Sequence, residues 1–192
     1  MIRTLIVDDD FRVASLHRAY VEKVPGFTVV GEAATGAEAL RLVNSTNPDL
    51  SRFRARGGKL LEWFGWDDPA IPPRSAINYF QSVVARSGQG EGALQHTQEF
   101  FRLFLAPGVL HCGGGPGPNV FDVLGPLVQW AERGDAPERI TATKYVGDSP
   151  ANGVAMTRPL CPFPKFAEYK GKGDKNVAAS FVCKAHDGEN DD

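Results

Sequence analysis

The sequence predicts an α/β fold in two unequal parts, a βαβα opening over residues 1–50 and a longer, loop-rich α/β part over residues 51–192. Three observations carry this. Short apolar runs at 3–7 and 27–31 alternate with stretches whose apolar residues recur at helical spacing, the pattern of parallel strands joined by covering helices. Two further apolar runs, 59–64 and 100–105, each pass directly into a loop rich in Gly and Pro, so two buried strands deliver polar side chains to loops at their C-terminal ends. The 21 glycines and 14 prolines of the chain, most of them after residue 56, mark the second part as the one dominated by loops.

Composition excludes several functions. With 192 residues, 42% of them hydrophobic, there is enough apolar material for a core. A net charge of −2 gives no electrostatic basis for binding nucleic acid or an anionic membrane. No stretch approaches the roughly eighteen apolar residues a membrane-spanning helix needs. The N-terminus, with one arginine, five apolar residues and then three aspartates, does not read as a signal peptide, so the chain as written is expected to be cytoplasmic.

Taken in order, 3–7 is a β-branched run ending in Asp8-Asp9-Asp10, a buried strand with an acidic C-terminal loop. Val13, Leu16, His17, Tyr20 and Val24 recur at helical spacing, and Pro25-Gly26 ends that helix. A second strand at 27–31 is followed by a second helix opening after Thr35-Gly36, with Ala37, Leu40 and Val43 or Asn44 on one face. Residues 51–58, with three arginines and two glycines, read as a solvated linker or short helix.

After the strand at 59–64 comes Gly65-Trp66-Asp67-Asp68-Pro69, then Pro72-Pro73 just ahead of an amphipathic helix at 74–86 carrying Ile77, Phe80, Gln81, Val83 and Val84. Residues 87–92 read as a polar, Gly-rich loop, and 100–105 as the next strand. A helix at 120–133 carries Phe121, Leu124, Leu127, Val128 and Trp130, with Gly134 as its C-cap. Residues 140–143 read as a last short strand, followed by a stretch without clear periodicity up to Cys183 and a frayed acidic tail at 187–192.

The chemistry concentrates in the two strand-terminal loops. A carboxylate after one strand and an imidazole, His111, 43 residues beyond Asp68 and after a later strand, is the Asp…His tail of the Ser…Asp/Glu…His hydrolase order. Asp68 also reads as a simple turn residue, since Asp-Pro is common at turns. The Gly-rich segment 113–118 lacks the Lys-Ser/Thr of a phosphate-binding loop. No Gly-x-Ser-x-Gly occurs in the chain, and Ser75, Ser87 and Ser149 stand in no such context, so no nucleophile is assigned.

The wording of these loops resembles a known family. Arg56-Gly57-Gly58-Lys59-Leu60, then Gly-Trp-x-Asp-Pro-x-Ile-Pro-Pro from Gly65, then Pro107-Gly108-x-x-His111-Cys112 and its Gly-rich continuation, is similar to the C-terminal part of the tannase and feruloyl esterase family. Thr157-Arg158-Pro159-Leu160-Cys161-Pro162 and Phe181-Val182-Cys183 continue the likeness, which runs from about residue 47 to 183. The resemblance implies part of an α/β-hydrolase sheet, esters of ferulic or gallic acid as substrates, and usually secretion. It makes Asp68 the acid and His111 the base of a triad, because the family places the acid immediately before the proline. It also pairs Cys161 with Cys183, a bridge whose loop of about twenty residues is worth about 3 kcal/mol in the chain-entropy picture, though not in a reducing cytoplasm. In such enzymes the nucleophilic serine lies upstream, beside a cysteine that pairs with the one following the histidine. Here that leaves Cys112 unpaired. The family's lid and calcium site have no counterpart in this sequence.

The opening 50 residues resemble a response-regulator receiver domain, with Leu5-Ile6-Val7-Asp8-Asp9-Asp10 as its first strand and acidic loop and Thr35-Gly36-x-Glu38-Ala39-Leu40 as its second helix. That resemblance makes Asp8 and Asp9 the remnant of a magnesium site, since carboxylates at a strand terminus suit a hard cation. The same aspartates also read as a strand end and a helix N-cap. The third strand and its phosphoacceptor aspartate do not follow Asn47-Pro48-Asp49-Leu50. The expectation is a chimera: a truncated receiver joined to the C-terminal portion of an ester hydrolase, inactive for want of the serine, and prone to self-association through exposed sheet edges. The alternatives are a phospho-receiver signalling fragment and a catalytically dead fusion or interaction protein.

Overall fold

The computed structural model describes residues 2–7, 10–34 and 47–185. The chain divides into two compact units, Met1–Pro48 and Asp49–Asp192.

In the first unit β1 (Ile2–Val7) and β2 (Phe27–Ala33) pair in parallel, joined by α1 (Phe11–Val21). Asp10 caps α1, its side chain accepting from the Arg12 amide at 2.8 Å, which satisfies one of the helix's orphan donors. Val13, Leu16, Tyr20 and Val24, expected to line a buried face, are exposed, and Ala14 is the buried residue of the helix. The helix turns a small side chain inward and fixes itself with Arg18, which bridges Glu22 and Glu32. The second helix expected after Thr35-Gly36 lies outside the described residues, as do Asp8 and Asp9.

The second unit begins with α2 (Ser51–Ala55), β3 (Leu60–Gly65), α3 (Arg74–Ser87), α4 (Gly90–Gln98) and β4 (Phe101–Ala106). β3 and β4 are parallel, in register from Leu60↔Phe101 to Gly65↔Ala106. Parallel neighbours need a crossover, and the helices between them supply it. β4 is the spine of the unit: Phe101, Leu103, Phe104 and Ala106 are fully buried. One side packs Phe101 and Leu103 against Ala76, Ile77, Phe80 and Val83 of α3. Another sets Phe104 and Ala106 among Val109, Ile140, Ala142 and Leu160. Each such aromatic or leucine is worth about 2 kcal/mol in apolar burial.

The crossover holds two helices where the sequence reading places one. Residues 90–98 are helical although 87–92 read as loop. Among the described side chains of this helix only Ala93 and Thr97 are buried, and Thr97 Oγ1 bonds back to the Ala93 carbonyl at 2.9 Å, so the segment has too narrow an apolar stripe to announce itself.

Beyond β4 lie α5 (Leu124–Arg133), β5 (Ile140–Tyr145), β6 (Val154–Leu160), β7 (Phe166–Tyr169) and β8 (Phe181–Lys184). α5 starts at Leu124 rather than 120 because Val120 is taken by a backbone bridge to Thr143, and Asp122 Oδ1 accepts from the Leu124 and Gly125 amides at 2.9 and 3.0 Å. Gly134 ends it in the left-handed conformation, as expected. β5 and β6 form one antiparallel pair and β7 and β8 another, where the sequence shows no clear periodicity after 143. Among the described residues the strands form four separate pairs, two parallel and two antiparallel, not one continuous parallel sheet.

Candidate active site

Two loops meet beyond the C-terminal ends of β3 and β4. Gly65, the last residue of β3, lies so close to the Val109 and Leu110 carbonyls that any Cβ would collide with their oxygens. This absence of a side chain lets the following residues run beside the other loop: the Trp66 amide donates to Ala106 O at 2.9 Å and the Asp67 amide to Val109 O at 3.1 Å.

Asp68 then closes a turn on itself. Its Oδ1 accepts from the Ala70 and Ile71 amides at 2.8 and 3.0 Å, an Asx-type arrangement. Its Oδ2 lies 2.6 Å from His111 Nδ1. The Asp68 side chain is 2% exposed and that of His111 50%. Burial pushes the Asp68 carboxyl up, but the bonds from His111, Ile71 and Ala70 more than reverse this and hold it below its ordinary value. An ionised carboxylate can only accept, so Nδ1 carries the proton, and in the neutral ring Nε2 is left with a free lone pair. Asp67 faces elsewhere, its Oδ1 3.4 Å from the Gly108 amide.

The His111 loop is shaped by its glycines. Gly117 donates to Gly108 O at 2.8 Å, and a Cβ on Gly108, which has φ +72°, would sit 2.7 Å from the Gly117 nitrogen. Cys112 has φ 58° and carries an exposed free thiol. Lys144, a residue the sequence reading passed over, reaches this loop from β5 with Nζ 2.6 Å from Gly115 O. The alternation Ile140, Ala142, Lys144 on one side of that strand was the signal that could have found it. Beside the two loops an apolar cleft of about 410 Å³ is lined by Trp66, Leu105, Pro107, Phe163 and Phe166 among others.

Cys161 and Cys183 form a disulfide, their Cα atoms 5.5 Å apart, tying the end of β6 to β8. The magnesium assignment to Asp8 and Asp9 falls outside the described residues. Among the described residues no cluster of three or more His, Cys, Asp or Glu side chains could hold a metal ion.

The chain matches the family model "Tannase and feruloyl esterase" over residues 6–184. It is 44% identical over 170 residues to an uncharacterized esterase of Xanthomonas campestris pv. campestris, covering 77% of this chain and 30% of that protein. It is 45% identical over 142 residues to the mono(2-hydroxyethyl) terephthalate hydrolase of Piscinibacter sakaiensis, covering 73% of this chain and 22% of that one. Among solved structures, the feruloyl esterase B of Aspergillus oryzae superposes with a TM-score of 0.64 at 28% identity, over 77% of this chain and 31% of that one. The chain therefore spans about a third or less of each of these relatives. The family match runs through both compact units. The stretch read from sequence as a receiver fragment is thus largely inside it, and the receiver and chimera readings gain no support from these matches. Likeness over most of the chain, with the same helix-and-strand architecture, shows that the chain belongs to the tannase and feruloyl esterase family.

Proposed function

We propose that this chain carries the acid–base half of a carboxylic ester hydrolase acting on esters of aromatic acids such as ferulate or gallate. His111 is its general base and Asp68 the residue that orients and stabilises it. The observation that supports this reading is the 2.6 Å contact between Asp68 Oδ2 and His111 Nδ1 at the ends of two adjacent parallel strands. In the reaction, His111 Nε2 takes the proton of a serine hydroxyl as its oxygen attacks the ester carbonyl, and returns that proton to the departing alcohol. Asp68 stabilises the transient imidazolium. Water, deprotonated by the same imidazole, then releases the aromatic acid.

No serine of these 192 residues stands in a nucleophile-elbow sequence. On this reading the chain by itself hydrolyses methyl ferulate and methyl gallate no faster than buffer. The names of relatives, a probable feruloyl esterase of Arthroderma benhamiae and a tannase of Aspergillus oryzae, support the substrate class. The test is a chimera in which this chain replaces the matching segment of the Xanthomonas esterase. Hydrolysis of aryl esters should appear and should fall by about a thousandfold or more in His111→Ala. Full activity in the His111→Ala chimera would refute the assignment.

The open edge of β3 bears on partners. Among the described residues β3 pairs with β4 alone, and an unpaired parallel edge is a template for another strand. On its own the chain should self-associate through that edge, which size-exclusion chromatography with light scattering would register as species larger than 20.8 kDa.

A further inference from the structure

The loop that carries His111 is held at its start by the β3 loop and further along by β5. At its exit, Val120 makes a two-bond backbone bridge with Thr143, the Val120 amide donating to Thr143 O at 3.0 Å and the Thr143 amide to Val120 O at 2.8 Å. The next residue along β5, Lys144, extends its side chain to the apex of the loop. Its Nζ donates to Gly115 O at 2.6 Å and pairs with Asp148 Oδ1 at 2.5 Å. The Lys144 side chain is only 13% exposed. Asp148 in turn accepts from Asn119 Nδ2 at 3.3 Å, so the ammonium sits between the middle of the loop and a carboxylate that is also fastened to the loop's end. Within the loop the Gly117 amide closes the ends on Gly108 O at 2.8 Å, but the bond nearest the histidine, Leu110 N to Gly114 O, is 3.4 Å, and five glycines between 108 and 117 supply no side-chain packing of their own.

We infer that Lys144 is a positioning residue for His111, a role that rests on the acid–base reading of the Asp68–His111 pair. A glycine-dense loop loses much backbone entropy when fixed. A charge-assisted bond from a largely buried ammonium to a loop carbonyl is among the stronger ways to fix it. Lys144 bonds to Gly115 O and Asp148. It holds the backbone four residues beyond His111, and so keeps Nδ1 against Asp68 rather than letting the ring swing into solvent, where half of it already is.

Long-range proton–nitrogen NMR spectra of the ¹⁵N-labelled 192-residue chain, above the pH at which the imidazole is neutral, report which ring nitrogen of His111 carries the hydrogen. The His111 signal is identified by its loss in His111→Asn. The wild type should show the Nδ1–H form. Lys144→Met should lose most of that form and accelerate amide exchange at Leu110 and Gly117 by on the order of tenfold, while the β5–β6 amides keep their wild-type shifts. Lys144→Arg, which can reach the same carbonyl, should restore the wild-type pattern. Asp148→Asn at an exposed position releases the ammonium without removing it and should give a partial loss. A Lys144→Met chain that keeps the wild-type His111 pattern overturns the inference. If that variant does not fold, an unchanged pattern in Asp148→Asn overturns it instead. Should Asp68→Asn leave the His111 pattern unaltered, the acid–base reading itself fails, a result distinct from failure of the lysine's role.

Discussion

β3 and β4 lie side by side in one parallel pair, yet they solve different problems. β4 is buried along almost its whole length, and its one charged residue, Arg102, is paired with a carboxylate and two carbonyls. Of its nitrogens, Nη1 donates to Pro137 O at 2.8 Å and Glu138 Oε1 at 3.0 Å and Nε to Gln98 O at 3.1 Å, and the guanidinium lies over the Trp130 ring. β3 is half-buried from Leu60 to Phe64 and buried at Gly65, and its charged residue, Glu62, is desolvated enough to hold its proton up to about pH 7. The difference carries into the loops. The one after β3 closes a turn of its own, because Asp68 bonds its own backbone. The one after β4 is rich in glycine and takes part of its order from β5. A strand with a finished environment can thus launch an unfinished loop, and an unfinished strand a finished one.

The sharpest way to break this comparison is to empty the same kind of side chain from each strand. Phe101→Ala on β4 removes a fully buried ring packed against Phe80 at 5.0 Å between centroids and should cost about 4 kcal/mol. Phe64→Ala on β3, only partly buried, should cost about half as much. Urea unfolding followed by tryptophan fluorescence measures both. Equal losses would mean that β3 is as much core as β4.

Next in size is Gly65→Ala. The new methyl meets the Val109 and Leu110 carbonyl oxygens, neither of which can yield without separating the loops, so stability should fall by about 3 kcal/mol. The same change should abolish the Asp68–His111 contact. Near-neutral thermal stability with the Nδ1–H form of His111 intact would show the loops to be independent.

Glu62→Gln tests β3 from the opposite direction, because it should stabilise. The folded-state carboxyl titrates at about 7 instead of 4.5. The native state therefore binds more protons than the unfolded state between those values, and stability falls as pH rises through that window. The full effect is about 3 kcal/mol, reduced to about 2 for a carboxyl still partly hydrated. Denaturation of wild type and variant should coincide near pH 4 and diverge by that amount at pH 8, the variant being the more stable.

How much of this was legible in the sequence follows from the same contrast. β3, β4 and the pairing of their loops were readable because apolar runs ending in Asp-Pro and in His-Cys-Gly are local signals, whereas the choice of Asp68 over Asp67 came from the family resemblance, which places the acid immediately before the proline. α4 was not readable, since its burial depends on two small residues, Ala93 and Thr97. β6 contains Pro159, and β7 and β8 are four residues each, too short for a period to show. Their order comes from β5, from one another and from the Cys161–Cys183 bridge. Lys144 escaped because its alternation with Ile140 and Ala142 places it on the inner side of β5 without showing which carbonyl, 29 residues away, it will meet.

The smallest expected effect, and the one most specific to the β3 loop, belongs to Asp68→Asn. An asparagine can keep its carbonyl oxygen on the Ala70 and Ile71 amides, so the turn survives. Its amide nitrogen, standing where Oδ2 was, can only donate, and cannot accept from His111 Nδ1–H. What is lost is one charge-assisted bond and the pH dependence it brings. Burial raises the Asp68 carboxyl and its three bonds lower it further, leaving it below its ordinary value of 3.8. A depressed acid adds stability that is present above its unfolded-state titration near pH 4 and disappears as pH falls through the lower, folded-state one. Wild type should therefore be more stable than Asp68→Asn at pH 7, and the two should converge as pH falls through the lowered folded-state titration of Asp68, as measured by urea midpoints across the acid range. If the gap stays constant down to pH 2, the Asn variant is being penalised for its shape and not for its missing charge, and the β3 loop is less self-sufficient than its hydrogen bonds suggest.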